Sequence, residues 1–158
     1  MSHSYNKLWI HAVLVTKFRM PLIEAKIESK VYSYLREELK KMKCQPTIIN
    51  GVSDHIHILF ILNPDKSVAD VMKQLKGGSS YFINSGKLIS AKFQWNRGYG
   101  AFSVSHSGSI PVFNYIKKQK QRHKKVDIGE EMKSLVALHG LTYALDFFEG
   151  DPATAPSK

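Results

Sequence analysis

Two histidines stand two positions apart in SDHIHILFIL, residues 53–62, inside a run that otherwise reads as a buried strand. A strand sends alternate side chains to opposite faces, so His55, His57, Leu59 and Ile61 share one face and Ile56, Ile58, Phe60 and Leu62 the other. Both imidazoles therefore leave the sheet on one side, which suits a divalent cation or a phosphate better than an apolar core. A half-buried histidine pair taken alone more often only hydrogen bonds to its neighbours. Two ligands are also too few for a metal, so a third must come from elsewhere in the chain.

The second chemical stretch is VFNYIKKQKQRHKK, residues 112–125. On a helix advancing about 100° per residue, Tyr115 and Gln119 lie one turn apart on the same face, with Arg122 next along it. Val112, Phe113 and Ile116 form the packing stripe. By itself this is an amphipathic helix with a solvated cationic face. Combined with the histidines, the Gln119 carbonyl oxygen completes a His, His, Gln metal set, and Tyr115 then stands near any phosphate bound there. Asp54, the one carboxylate close to the histidines in sequence, is placed in a turn and not on the metal. His11 is read as a core or supporting residue.

These side chains need a scaffold. Residues 7–16 alternate as a central strand, and residues 23–43 place Ile27, Val31, Tyr34, Leu35 and Leu39 at helical spacing. Pro46 to Ile49 reads as a second strand, with Asn50-Gly51 as the tight turn into the histidine strand. Asn63-Pro64-Asp65 ends that hairpin. Ser67 or Asp65 caps a helix carrying Val68, Val71, Met72, Leu75 and Phe82, in which Gly77-Gly78 suggests a bend or a close backbone approach. A strand follows at Ala101 to Ser105, then helices over 110–124 and about 128–139; LTYALDFF, 141–148, reads as a short extended segment. The order strand, helix, strand, strand, helix, strand predicts an α+β fold, a ferredoxin-like or RRM-like antiparallel sheet with helices on one face and an added C-terminal helix carrying Tyr115. No repeat or linker divides the chain, so residues 1–150 read as one domain and DPATAPSK, 151–158, as a disordered tail.

Whole-chain chemistry narrows the partners. In 158 residues, 23 Lys and Arg against 13 Asp and Glu give a net charge of +10, which favours a polyanion, nucleic acid before membrane. Cys44 is the one cysteine, which excludes an internal disulfide framework and a thiolate zinc cage and fits a reducing cytoplasm. No apolar run approaches the roughly 20 residues of a membrane span, and MSHSYNK lacks the apolar core of a signal peptide. Lys17, Arg19, Lys73, Lys76, Lys118 and Arg122 are the candidate phosphate contacts. Trp95, Tyr99 and Phe102, among glycines, are read as packing anchors before base-stacking platforms.

DHIHILF, WNRGYGAFSVSHS and YIKKQ, in this order and at these separations, resemble the single-tyrosine HUH transposases of the insertion-sequence-200/605 type and their repeat-associated relatives. The likeness runs from about Tyr5 to Tyr143. It implies that His55, His57 and Gln119 bind Mg²⁺ or Mn²⁺ and that Tyr115 is the nucleophile. It further implies cleavage and rejoining of single-stranded DNA at hairpin-bearing ends through a 5′-phosphotyrosine. A homodimer follows as well, commonly one in which the tyrosine helix of one subunit completes the histidine site of the other. The chemistry is consistent: a phosphodiester is anionic and a poor electrophile, a cation draws charge from it, and a covalent tyrosine ester stores the bond for rejoining. The rival readings are an HUH replication initiator or relaxase, a noncatalytic RRM-like nucleic-acid-binding module, and a hydrolytic metalloenzyme. The first is usually longer, the second lacks its aromatic strand signature here, and the third has no carboxylate near either histidine in sequence other than Asp54.

Overall fold

The alternation that puts the histidines on one side also builds a sheet with two dissimilar faces. In the computed structural model, which describes residues 3–148, β1 (Leu8–Val15), β2 (Gln45–Val52), β3 (His55–Leu62) and β4 (Gly100–Val104) form one antiparallel sheet in the order β2-β3-β1-β4. The intervening helices are α1 (Ala25–Lys41) and α2 (Val68–Ser85). This is the ferredoxin-like arrangement expected from the element order. The expected tail at 151–158 lies outside the described residues.

Ile10, Ala12 and Leu14 of β1 and Ile56, Ile58 and Phe60 of β3 point to one face, where Ile27, Val31, Leu35 and Leu39 of α1 and Val71, Met72 and Leu75 of α2 cover them. Each of these side chains apart from Ala12 contributes on the order of 1.5–3 kcal/mol by leaving water. The opposite face carries Val13, Val15 and Phe102, with His11, His55 and His57 among them. It is covered by helices later in the chain: α3 (Ser109–Lys117), α4 (Gln119–Arg122) and α5 (Ile128–Leu138), the last inserting Ile128, Met132 and Leu135. Helices thus lie on both faces, the first pair for packing and the later three around the histidines.

Two local expectations change. Asn50-Gly51 is not the hairpin turn; both residues are inside β2, opposite His57 and Ile56, and the chain turns at Ser53-Asp54. Gly51 is required because a Cβ there would come within 2.2 Å of the His55 carbonyl oxygen. Residues 141–148 contain no strand; the segment ends with Phe148 buried in the second apolar cluster beneath the Arg19 guanidinium. As one of the two offered caps, Ser67 begins α2, its hydroxyl accepting from Asp70 N–H, and the helix runs unbroken through Gly77-Gly78.

Of the two readings of that glycine pair, close approach holds, and only at Gly78. A Cβ at Gly78 would meet the Tyr34 hydroxyl at 2.5 Å, whereas one at Gly77 meets nothing within 4 Å. Gly77→Ala is therefore expected to stabilise the protein by about 0.5–1 kcal/mol through the helix-propensity gain. Gly78→Ala should gain less or lose, since it must displace the Tyr34 ring from its stack on Phe82. Urea midpoints of the two variants check the difference.

Candidate active site and metal centre

The β3 strand delivers His55 and His57, both fully buried, to the face beneath α3–α5. Each imidazole is held at Nδ1. His55 Nδ1 pairs with Asp54 Oδ1 at 2.7 Å, and His57 Nδ1 pairs with His11 Nε2 at 2.8 Å. His11 reaches it because it faces Leu59 across the β1–β3 ladder, a diagonal neighbour of His57 on the same face. With Nδ1 engaged, both rings aim Nε2 into one space, the orientation that outer partners impose on metal-binding histidines. Burial holds His57 and His11 well below the usual imidazole range, to about 4 and about 3, with the neighbouring histidines adding to the effect. They are neutral rings near pH 7, as ligation requires.

The tyrosine arrives from the other side of that space. The spacing predicts one helix over 110–124, but the helix is interrupted at Lys118 into α3 and α4. At the break, Asn50 Nδ2 of β2 donates to the carbonyls of Ile116 at 3.0 Å and Lys117 at 3.1 Å, acceptors that a continuous helix would use itself. Lys120 reinforces the joint by donating to Asn50 Oδ1 at 2.7 Å and pairing with Glu28 at 2.8 Å. The Asn50→Ala variant is expected to lose about 1–2 kcal/mol and to speed amide exchange at 116–122 while α1 is unaffected, measured by hydrogen exchange with mass spectrometry.

Tyr115 sits on the last turn of α3, its ring 5.7 Å from His57 and 6.0 Å from His11, both edge-on. The Arg122 guanidinium lies over its other surface at 5.2 Å. Burial raises the phenol above its ordinary range, the Glu131 charge raises it further, and Arg122 opposes both. Gln119, buried at the start of α4, brings Oε1 to 3.4 Å from His55 Nε2. The four residues expected to share a site, His55, His57, Tyr115 and Gln119, are therefore together.

Two residues escaped the sequence reading. Glu131 of α5 is fully buried; Oε1 contacts His57 Nε2 and lies 4.0 Å from His55 Nε2. Its Oε2 accepts from Arg122 Nε at 3.0 Å and pairs with His123 Nε2 at 2.8 Å. His123 also approaches Gln119 Oε1 at 2.8 Å. Burial opposes the Glu131 charge, but the pairing of the carboxylate with His123 and His57 outweighs it and holds the carboxyl well below the usual carboxylate range. So Asp54 is not the only carboxylate near the histidines, and it belongs where it was expected, in the turn. One signal for Glu131 was available: Ile128, Met132 and Leu135 define the apolar stripe of α5, and Glu131 falls on it.

The donor set fits a divalent cation. Ligand atoms of His55, His57, His123 and Glu131 lie within 4.8 Å of one another. His57 Nε2 and Glu131 Oε1 are buried without a hydrogen bond of regular geometry to any described residue. Such atoms are costly unless something else takes them up.

The candidate phosphate contacts divide into groups. Lys118 and Arg122 line a groove of about 400 Å³ beside Tyr115, together with Gln121 and Lys125. Lys17 and Arg19 lie on a 3-10 turn after β1, where Lys17 covers the Phe18 ring and Arg19 that of Phe148. Lys73 and Lys76 ride on α2, on the face of the sheet away from the histidines, and Lys76 donates to the Arg97 carbonyl at 2.6 Å. Trp95 and Phe102 are packing anchors: Trp95 Nε1 donates to Ser79 Oγ at 2.9 Å, and Phe102 stacks on His139 at 4.5 Å. No helix among the described residues is long and apolar enough to cross a membrane.

Comparison with known proteins places the chain in a family. It is 27% identical over 138 residues to the transposase of insertion sequence element IS200 from Salmonella typhimurium, covering 84% of this chain and 88% of that one. It is 22% identical over 121 residues to the ISDra2 transposase TnpA of Deinococcus radiodurans, covering 73% and 86%. Among solved structures, a putative transposase from Deinococcus radiodurans R1 superposes with a TM-score of 0.60 at 22% identity, over 75% of this chain and 96% of that one. A REP-associated tyrosine transposase bound to a REP hairpin superposes with 0.56 at 13% identity, over 99% and 96%. These two likenesses carry the fold. Residues 4–119, from just before β1 to the glutamine of the site, match the family described as "Transposase IS200 like", and the chain belongs to that family of DNA transposases.

Proposed function

We propose that this transposase cuts and rejoins single-stranded DNA at hairpin-bearing ends, with Tyr115 as nucleophile and a divalent cation, Mg²⁺ or Mn²⁺, held by His55, His57 and Gln119. One observation carries the reading. Two histidines anchored at Nδ1 converge through Nε2 on a space that also receives Gln119 Oε1 and adjoins Tyr115. When bound, the cation supplies charge withdrawal from a nonbridging oxygen of the scissile phosphate.

The chain's own residues account for the rest. The Tyr115 oxygen attacks phosphorus, the P–O3′ bond breaks, the 3′ oxygen takes up a proton, and the tyrosine proton is released. The product is a 5′-phosphotyrosine and a free 3′ hydroxyl. Arg122, over the Tyr115 ring, opposes the negative charge that develops as the phenol loses its proton. Lys118, Arg122 and Lys125 give the groove beside Tyr115 a positive lining for the strand. Rejoining is the reverse attack by a 3′ hydroxyl and needs no nucleotide cofactor. Hairpin recognition rests on the family and on the hairpin-bound relative. A homodimer remains part of the proposal, since two ends need two tyrosines; within one chain, Tyr115 already stands against that chain's own His57.

The RRM-like alternative fares worse. An RRM stacks bases on an open sheet face, and here that face is covered by α3–α5 and carries histidines. The test is incubation with end-labelled single-stranded DNA containing a hairpin, with Mg²⁺ or Mn²⁺, followed by denaturing electrophoresis. A metal-dependent covalent protein–DNA band is expected. DNA binding without any such band would sink the catalytic reading.

A further inference from the structure

Glu131 occupies a position that packing alone would give to an apolar side chain. It lies on the buried stripe of α5 between Ile128 and Met132, where an apolar side chain would extend the packing, and a buried carboxylate costs several kcal/mol in desolvation. It also lies beyond residue 119, where the family match ends. Two side chains of the α4 segment hold it: Arg122 and His123 both engage Oε2, which leaves Oε1 turned toward His57 Nε2 and His55 Nε2. His123 Nε2 is simultaneously 2.8 Å from Gln119 Oε1, so one ring stands behind both oxygen donors.

We propose that Glu131 is a fourth protein ligand of the divalent cation, binding through Oε1, with Arg122 and His123 as positioning residues that hold Oε2. The inference rests on the metal reading of His55, His57 and Gln119 and extends it. The set becomes two imidazole nitrogens, an amide oxygen and a carboxylate oxygen. A six-coordinate ion on these four keeps two positions for phosphate oxygens or water. The carboxylate supplies the only formal negative charge in the set and raises affinity in a buried site. His57 Nε2 and Glu131 Oε1, now in contact with each other, would both turn to a bound cation, and His57 Nδ1 would then donate to His11 Nε2.

The experiment titrates MnCl₂ into the full chain, following the signal of free aqueous Mn²⁺ by electron paramagnetic resonance, for wild type, Glu131→Gln and His57→Ala. Mn²⁺ is chosen because imidazole donors favour it over Mg²⁺ and because it is paramagnetic. Wild type should bind one Mn²⁺ per chain. Glu131→Gln, which keeps the shape of the side chain, should bind about 10- to 100-fold more weakly, and His57→Ala at least as weakly. A second measurement uses only folded wild type and Asp54→Asn: loading with Mn²⁺ should shift a carboxylate stretching band in the infrared difference spectrum of both. If Glu131→Gln binds as tightly as wild type or more tightly while His57→Ala does not bind, Glu131 merely fills the space, and the inference falls while the proposed function stands. An absent carboxylate shift on loading would overturn it equally. If wild type and His57→Ala behave alike, the histidine metal site itself is wrong and both readings fall.

Discussion

Tyr115→Phe is expected to abolish the covalent protein–DNA adduct, lowering its yield by more than about 10⁴-fold, while hairpin binding changes less than threefold. The substitution removes one hydroxyl and nothing else. The ring keeps its edge-on contacts with His57 and His11 and its place under Arg122, so α3 retains its packing. The basic lining of the groove, Lys118, Arg122 and Lys125, is untouched. A gel shift on the same labelled hairpin measures binding, and denaturing electrophoresis measures the adduct. The size of the expected loss follows from the surroundings. Burial and the Glu131 charge both hold the Tyr115 proton on, so this phenol must be activated within the site, and no other described tyrosine ring adjoins the histidine pair. An adduct from Tyr115→Phe at wild-type yield would assign the nucleophile to another residue.

His57→Ala is expected to remove cleavage and also to destabilise the fold by about 3–5 kcal/mol. The second effect comes from Glu131. Its buried carboxylate contacts His57 Nε2, and truncating the imidazole strips away one of the two histidines that stabilise its charge, while His11 Nε2 loses its own partner. The double variant His57→Ala/Glu131→Gln should therefore recover about half of the lost stability, because the charge left unpaired is gone, yet recover none of the cleavage. Urea denaturation in the absence of metal reports the first quantity and the adduct assay the second. Equal stability of the single and double variants would mean that the Glu131 charge is carried by Arg122 and His123 alone. Retained metal-dependent cleavage in either variant would remove His57 from the metal set.

The amino-acid sequence by itself determined the scaffold and the chemistry that acts at short range. Period-two alternation in β3 decided that His55 and His57 share a face, and the pairing of β1 with β3 then brought His11 beside them. The order of strands and helices decided the sheet, and the spacing of four decided that Tyr115 and Gln119 reach the same place, even though the helix between them is broken. The motif set carried the family.

Only the tertiary structure decided how the site is closed. Asn50-Gly51 has the composition of a hairpin turn, yet Asn50 serves α3 some sixty residues away, and Gly51 answers to the backbone of β3 passing close by. Local propensity cannot register a partner that arrives from a distant element. Glu131 makes the same point. In sequence it is one of two adjacent glutamates on an amphipathic helix, and its position on the apolar stripe is a weak sign. Its role depends on where α5 docks, which is set by Ile128, Met132 and Leu135 packing on Val13, Val15 and Phe102. Periodicity reports which face of a helix is buried; what that face is buried against is a long-range fact, and here it is the histidine pair.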